Sequence, residues 1–197
     1  MATALKRAVD ARPDPRVARS RQVILSAALA ELGEIGYGGF TIESVAARAG
    51  VGKSTIYRHW PDRLSLIADA FAKLHESEAP DLSYGTPRDK LERILAHVAA
   101  VLIDSPFSTC LPAMIDAAER DPALRDFHHG FQAEVRKPTV ALIASAIASG
   151  DFPTDRDPEL TAYALLGAIF FRRLMTNARF APEEAGALVN TVLGSEA

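Results

Sequence analysis

Thr41-Ile42-Glu43-Ser44-Val45-Ala46-Ala47-Arg48-Ala49-Gly50-Val51-Gly52-Lys53-Ser54-Thr55-Ile56-Tyr57-Arg58-His59-Trp60-Pro61 is the stretch whose reading decides this chain. Thr41 can cap a helix N-terminus, and Ile42, Val45 and Ala46 follow at helical spacing, so a short helix runs through Arg48. Ala49-Gly50-Val51-Gly52 makes a tight turn. Lys53 to His59 forms a second short helix, with Ile56 its inward anchor and Tyr57 a second packing candidate. Two short helices joined by a glycine-containing turn, behind a longer packing helix, describe a helix-turn-helix, which sets its second helix in the major groove. Lys53, Ser54, Thr55, Tyr57, Arg58 and His59 offer donors, acceptors and a flat ring to bases and phosphates. A structural αα-turn with a polar face fits the same spacing.

The flanks are helical too. Leu25, Ala28, Leu29 and Leu32 predict a helix over 17–35 that stops at Gly36; Gly33 inside it costs about 1 kcal/mol relative to alanine. Trp60, Leu64, Ile67, Phe71 and Leu74 mark a helix opened by Pro61 and running to about Ser77. A polar loop from Glu76 to Pro87 precedes another helical stripe at Leu91, Ile94, Leu95, Val98 and Leu102. Pro106 and Pro112 are expected to break up the next stretch. Asp121-Pro122 and Asp157-Pro158 each pair an N-cap with proline at the first helical position, opening helices over 122–149 and 158–178. Pro138 should kink the first of these. A last helix covers 182–193. The fold class is all-α, with about nine helices and no strand-type alternation. The division expected is a basic arm at 1–16, a DNA-binding unit at 17–60 and a helical body at 61–197.

Composition narrows the function. Apolar residues make up 48% and charged residues 24%, as in a soluble globular protein. The single cysteine, Cys110, leaves no disulfide framework and no multi-cysteine zinc site, which suits a reducing cytosol. The opening MATALKRAVDARPDPR lacks a signal peptide's apolar core. The apolar run Ala162–Phe171 is about half of the ~20 residues that cross a bilayer. A cytoplasmic location, with no membrane partner, is expected. The net charge of −3 divides into +4 over residues 1–60 and −7 over the rest, and a basic first third suggests a surface for a polyanion.

Ala47-Arg48-Ala49-Gly50-Val51-Gly52-Lys53-Ser54 imitates a phosphate loop, but no strand precedes it and no long helix follows. His128 and His129 are adjacent and diverge on a helix, so no metal site is expected. No serine lies in a nucleophile elbow. No catalytic constellation and no cofactor site is read.

From Ile24 to Leu66 the chain resembles the N-terminal domain of TetR-family regulators. The match runs through Ile24-Leu25-Ser26-Ala27-Ala28, Gly36-Tyr37, Thr41-Ile42, Val45-Ala46 and Ala49-Gly50-Val51 to Ile56-Tyr57-Arg58-His59-Trp60. Gly52 stands where the family usually has serine, and Trp60 where it usually has phenylalanine. Gly52 removes a side chain that caps the recognition helix, a task left to backbone N–H groups. Arg63 stands where the family commonly has a phosphate-binding lysine. The resemblance implies a homodimer on double-stranded operator DNA, contacted by Arg16, Arg19, Arg21, Thr41, Arg48, Gly52, Lys53, Ser54, Thr55, Tyr57, Arg58, His59 and Arg63, with Arg12 in the arm.

It also implies a C-terminal ligand-binding and dimerisation body whose last two helices pair between subunits. Ala164, Gly167, Ala168, Phe171, Leu188 and Val192 are the expected dimer contacts. Leu74, His97, Phe107, Ser108, Met114, Phe127, Phe131, Tyr163, Phe170 and Met175 are candidates for lining a pocket for a small uncharged or weakly polar ligand; ordinary core accounts for the same residues. The function expected is repression relieved by such a ligand, the alternative a DNA-binding dimer with no inducer. The helix over Pro61–Ser77 would be the lever.

Overall fold

The computed structural model describes residues 15–76 and 79–195, the side chains of residues 15, 16, 74–76 and 104 excepted. Its regular elements are nine α-helices and one 3-10 turn, so the all-α expectation holds among the described residues. In chain order they are α1 (Pro15–Gly39), α2 (Ile42–Ala49), α3 (Lys53–Tyr57), α4 (Arg63–Glu76) and α5 (Pro87–Asp104), then α6 (Pro106–Arg120), α7 (Pro122–Ser149), α8 (Pro158–Met175) and α9 (Ala185–Leu193). The 3-10 turn, Pro182–Glu184, leads into α9. No single described helix is long and apolar enough to cross a membrane.

Local chemistry sets most boundaries. Asp121 caps α7 by accepting hydrogen bonds from the amides of Ala123 (2.9 Å) and Leu124 (3.4 Å). Asp157 caps α8 through the amide of Leu160 at 2.7 Å. Pro122 and Pro158 follow where a missing N–H does no harm. Helix α1 runs past its expected end but is interrupted at Gly36, whose φ of 69° and ψ of 175° are not helical.

Gly33, a weak point by propensity, has a packing reason. A β-carbon there would lie 2.9 Å from Thr109 Cγ2 of α6, so the missing side chain lets the two helices touch. One turn earlier, the Cys110 thiol of α6 donates to the Leu29 carbonyl of α1 at 3.0 Å. Burial pushes that thiol up to about 11, so it stays neutral and unreactive in the seam.

Pro112 does not break the chain as expected; it lies inside a continuous α6, exposed to solvent. The physical reason comes from α8. Proline has no N–H for the carbonyl four residues back, that of Ser108. Arg173 Nη2 donates to this carbonyl at 2.9 Å, while its Nε donates to the Ser108 hydroxyl at 2.8 Å. Arg173→Met should therefore cost about 1–3 kcal/mol, the range for leaving a buried acceptor unpaired. The check is urea unfolding of a double-mutant cycle, because Pro112→Ala restores the amide and should shrink the loss. An equal loss in both backgrounds would remove this explanation. Helix α7 runs through Pro138, which is exposed, over the bounds expected for it.

Two apolar clusters form the interior. The first joins Ile24, Leu32, Val45, Ile56, Trp60 and Phe71 to Cys110, Met114 and Ala117 of α6 and Leu124 of α7. The second joins α5, α7, α8 and α9 through residues such as Leu95, Ile143, Leu165 and Val189. Phe107 packs against both. The core of the N-terminal helices therefore continues into the body.

Candidate nucleic-acid interface

The α2–α3 unit is built from its turn outward. The Thr41 hydroxyl accepts from the Ser44 amide at 3.0 Å, and the Ser44 hydroxyl accepts from the Thr41 amide at 3.3 Å, fixing the start of α2. Gly50 ends it at φ 65°, ψ 32°, a left-handed conformation that glycine adopts without strain. Val51 N then donates to the Ala46 carbonyl at 3.0 Å and turns the chain into α3. Ile56 and Trp60 are buried, so the other residues of α3 and its end must face out.

Lys53, Ser54, Tyr57, Arg58 and His59 are all exposed, and Thr55 is half-buried. Tyr57, a packing candidate by sequence, is 50% exposed, so its ring is free to reach a partner. Lys53 Nζ lies 2.9 Å from Glu43 Oε1, and the ammonium holds that carboxyl below its ordinary range. Such an exposed pair is weak, so a phosphate can displace it. Gly52 precedes α3 in an extended conformation and gives it no side-chain cap.

The flanking cations divide. Arg19 is exposed. Arg63 is exposed and stacks over the Tyr37 ring at 4.1 Å, which steadies it at the start of α4. Arg48, expected among the DNA contacts, is instead gripped by two carboxylates of α1. Its Nε donates to Glu31 at 2.6 Å and its other nitrogens to Glu34. The hydrogen bonds to Glu34 and Glu31 hold it firmly protonated and turn it into a clamp between α1 and α2. Arg21 Nη2 donates to Asp69 Oδ2 at 2.6 Å, the same oxygen that accepts from the Trp60 indole at 2.9 Å. The side chain of Arg16 and all of Arg12 lie outside the described residues.

The body residues expected to line one pocket are dispersed. Met114 and Ser108 are buried in the core, and Phe170 packs against the second cluster. His97 is half-buried on α5. Phe107, Phe127 and Phe131 pack around Phe71. Tyr163 (52% exposed) and Met175 (71%) face outward on α8 and line no interior space, and the Leu74 side chain is outside those described. Of the expected dimer residues, Ala164, Gly167 and Phe171 are exposed and Ala168, Leu188 and Val192 half-buried. With Tyr163 and Arg172, the four on α8 border an open concavity of about 710 Å³. The inward residues of α8 are Thr161, Ala162, Leu165 and Ile169. Its outward stripe, Leu160, Tyr163, Ala164, Gly167, Phe171 and Met175, repeats at three to four residues.

A family model described as Tetracyclin repressor-like, C-terminal domain, matches residues 80–192, and one for bacterial regulatory proteins of the tetR family matches residues 24–70. The chain belongs to the TetR family. This TetR-family chain is thus a DNA-binding helix-turn-helix transcriptional regulator. It is similar to the HTH-type transcriptional regulator YdeS of Bacillus subtilis, 29% identical over 165 residues and covering 82% of each chain. A TetR-family transcriptional regulator from Rhodococcus superposes with a TM-score of 0.69 at 26% identity, over 88% of this chain and 98% of that one. A transcriptional regulator from Saccharomonospora viridis, solved in complex with choline, shares the fold with a TM-score of 0.67 at 17% identity, over 88% and 95%.

Two residues that brace the helix-turn-helix of this TetR-family chain escape a reading of the sequence. Asp69 could have been sought, since a buried indole N–H requires an acceptor and Asp69 follows Trp60 by nine residues. Glu31, 6% exposed, sits three residues before Glu34 on the same helix face, a spacing fit to share one arginine.

Proposed function

We propose that the chain works as a homodimer that grips operator DNA with α3, its outward residues Lys53, Ser54, Tyr57, Arg58 and His59 reading bases and phosphates. The observation that carries this reading is a five-residue helix pinned by the fully buried Ile56 while Lys53, Ser54 and Tyr57 face solvent. Thr41, Gly52 and Thr55 border that face, and Arg19, Arg21 and Arg63 are proposed as phosphate contacts, together with Arg16, whose side chain lies outside those described. Arg48 serves DNA binding indirectly, by fixing α2 against α1. The apolar stripe on α8, with Leu188 and Val192 of α9 beside it, pairs two copies, because exposed Phe171 (62%) and Met175 (71%) need cover. Repression relieved by a small uncharged or weakly polar ligand in the body completes the reading. The choline-bound relative supports small-molecule binding by this fold.

Selection from a random duplex pool tests it. The expected product is a palindromic site whose half-sites lie about 34–36 Å apart or a multiple of that. Affinity for that site should fall steeply with salt as counterions are released. No enriched site, or a flat salt response, overturns the reading. One observation favours a second reading, binding with no inducer: four phenylalanine rings fill the space between α4, α6 and α7.

A further inference from the structure

Three of those rings form a wall and the fourth a guest. Phe107 of α6 and Phe127 and Phe131 of α7 share a similar orientation: Phe107 is tilted 38° from Phe131, and Phe127 34° from it. Phe71 of α4 stands nearly perpendicular to all three, at 79°, 74° and 77°, with centroids 5.6, 6.3 and 5.7 Å away. Edge-to-face pairs at these distances are attractive beyond the area they bury. Phe71 is 3% exposed, whereas the wall rings are only half-buried, so the outer side of the wall meets solvent.

The guest is tied to the DNA-reading unit. Two residues before Phe71, Asp69 accepts from the Trp60 indole at 2.9 Å and from Arg21 of α1 at 2.6 Å. Trp60 ends the segment that begins with α3. If Phe71 left its slot, α4 would have to shift, and the Asp69 ties would strain or break.

We infer that Phe71 is a built-in occupant of a binding slot for a small, neutral, monocyclic aromatic molecule, and that such a ligand acts by replacing the Phe71 ring. The slot fits a benzyl group, which its three rings meet edge to face, so a flat neutral ring gains these contacts while a charged head group must shed its hydration for cation–π attraction alone. The ligand and the DNA-competent conformer compete for the same three rings, which provides the differential affinity that release requires. This rests on the ligand-responsive reading above and specifies its ligand class.

The test uses toluene, with methylcyclohexane and tetramethylammonium as controls for shape and charge, on the full chain and on Phe71→Ala. Melting temperature reports binding, and fluorescence anisotropy on the selected site reports release. Toluene should stabilise the unmodified protein and lower its site affinity, and the controls should do so far less. Phe71→Ala should bind toluene more tightly, on the order of a hundredfold if the ring-out state is about 1% populated. Its site affinity should no longer respond to toluene, because no ring remains to be displaced. If Phe71→Ala does not fold, Phe71→Leu keeps the aliphatic bulk and should show the same pattern more weakly.

Equal toluene affinity in the unmodified protein and the variant, or release that persists in the variant, overturns the displacement. A larger effect from either control overturns the ligand class. The melting arm needs no DNA, so a protein that binds no operator would defeat the regulatory reading while the slot was still decided.

Discussion

Lys53→Ala combined with Tyr57→Ala should lower affinity for the selected operator about a thousandfold while leaving the fold intact. A dimer would lose four contacts, each worth at least ~1 kcal/mol of recognition. Both side chains are exposed, and the anchors Ile56 and Trp60 are untouched, so the melting transition should hardly move. The two losses should differ in kind. Lys53 is expected on phosphate, so its removal alone should weaken all sequences alike and flatten the salt dependence. Tyr57 is free to reach base edges, so its removal should narrow the gap between the selected site and random DNA. Anisotropy titrations at several salt concentrations separate the two. Tight, sequence-specific binding by the double variant would end the assignment of α3 as the reading helix.

Gly167→Arg should turn the protein into a monomer and abolish operator binding with it. A β-carbon at Gly167 would meet nothing within 4 Å in the single chain, so the substitution does not disturb the subunit's own packing. Against a second copy it places an unpaired cation and a long side chain on an apolar stripe, which costs several kcal/mol. A single half-site then loses its partner, and the affinity that came from joining the two disappears. Sedimentation at micromolar concentration should show one chain where the unmodified protein shows two. Gly167→Ala, which adds one methyl group, should remain dimeric. A Gly167→Arg protein that still sediments as two chains would remove α8 from the interface.

What was legible in the sequence was local. The caps at Thr41, Asp121 and Asp157 and the turn at Gly50 depend on atoms within a few residues of one another, and they stand where the chain order puts them. What was illegible depends on distant partners. Pro112 reads as a breaker because nothing nearby can serve the Ser108 carbonyl; the donor lies 65 residues away. Arg48 reads as a DNA contact because the carboxylates that hold it are on another helix. Helix α8 is apolar nearly all round, so periodicity could not say that Tyr163 and Met175 face outward while Leu165 and Ile169 face the core. Phe71, Phe107, Phe127 and Phe131 were legible as apolar, but that they meet in one slot follows only from the crossing of α4, α6 and α7.

The shared first cluster bears on protein engineering. Exchanging DNA-reading heads between relatives suggests a cut near Trp60, where the chain passes from one unit to the next. Cys110, Met114, Ala117 and Leu124 belong to the same apolar cluster as Ile24, Leu32 and Ile56, so such a cut divides one core between two parents. Gly33 against Thr109, and the Cys110 thiol on the Leu29 carbonyl, add contacts that a foreign head would have to match. A transplant that keeps the donor's counterparts of Thr109, Cys110, Met114 and Ala117 with its first helix should express as a folded hybrid, whereas one joined at Trp60 alone should be prone to aggregation.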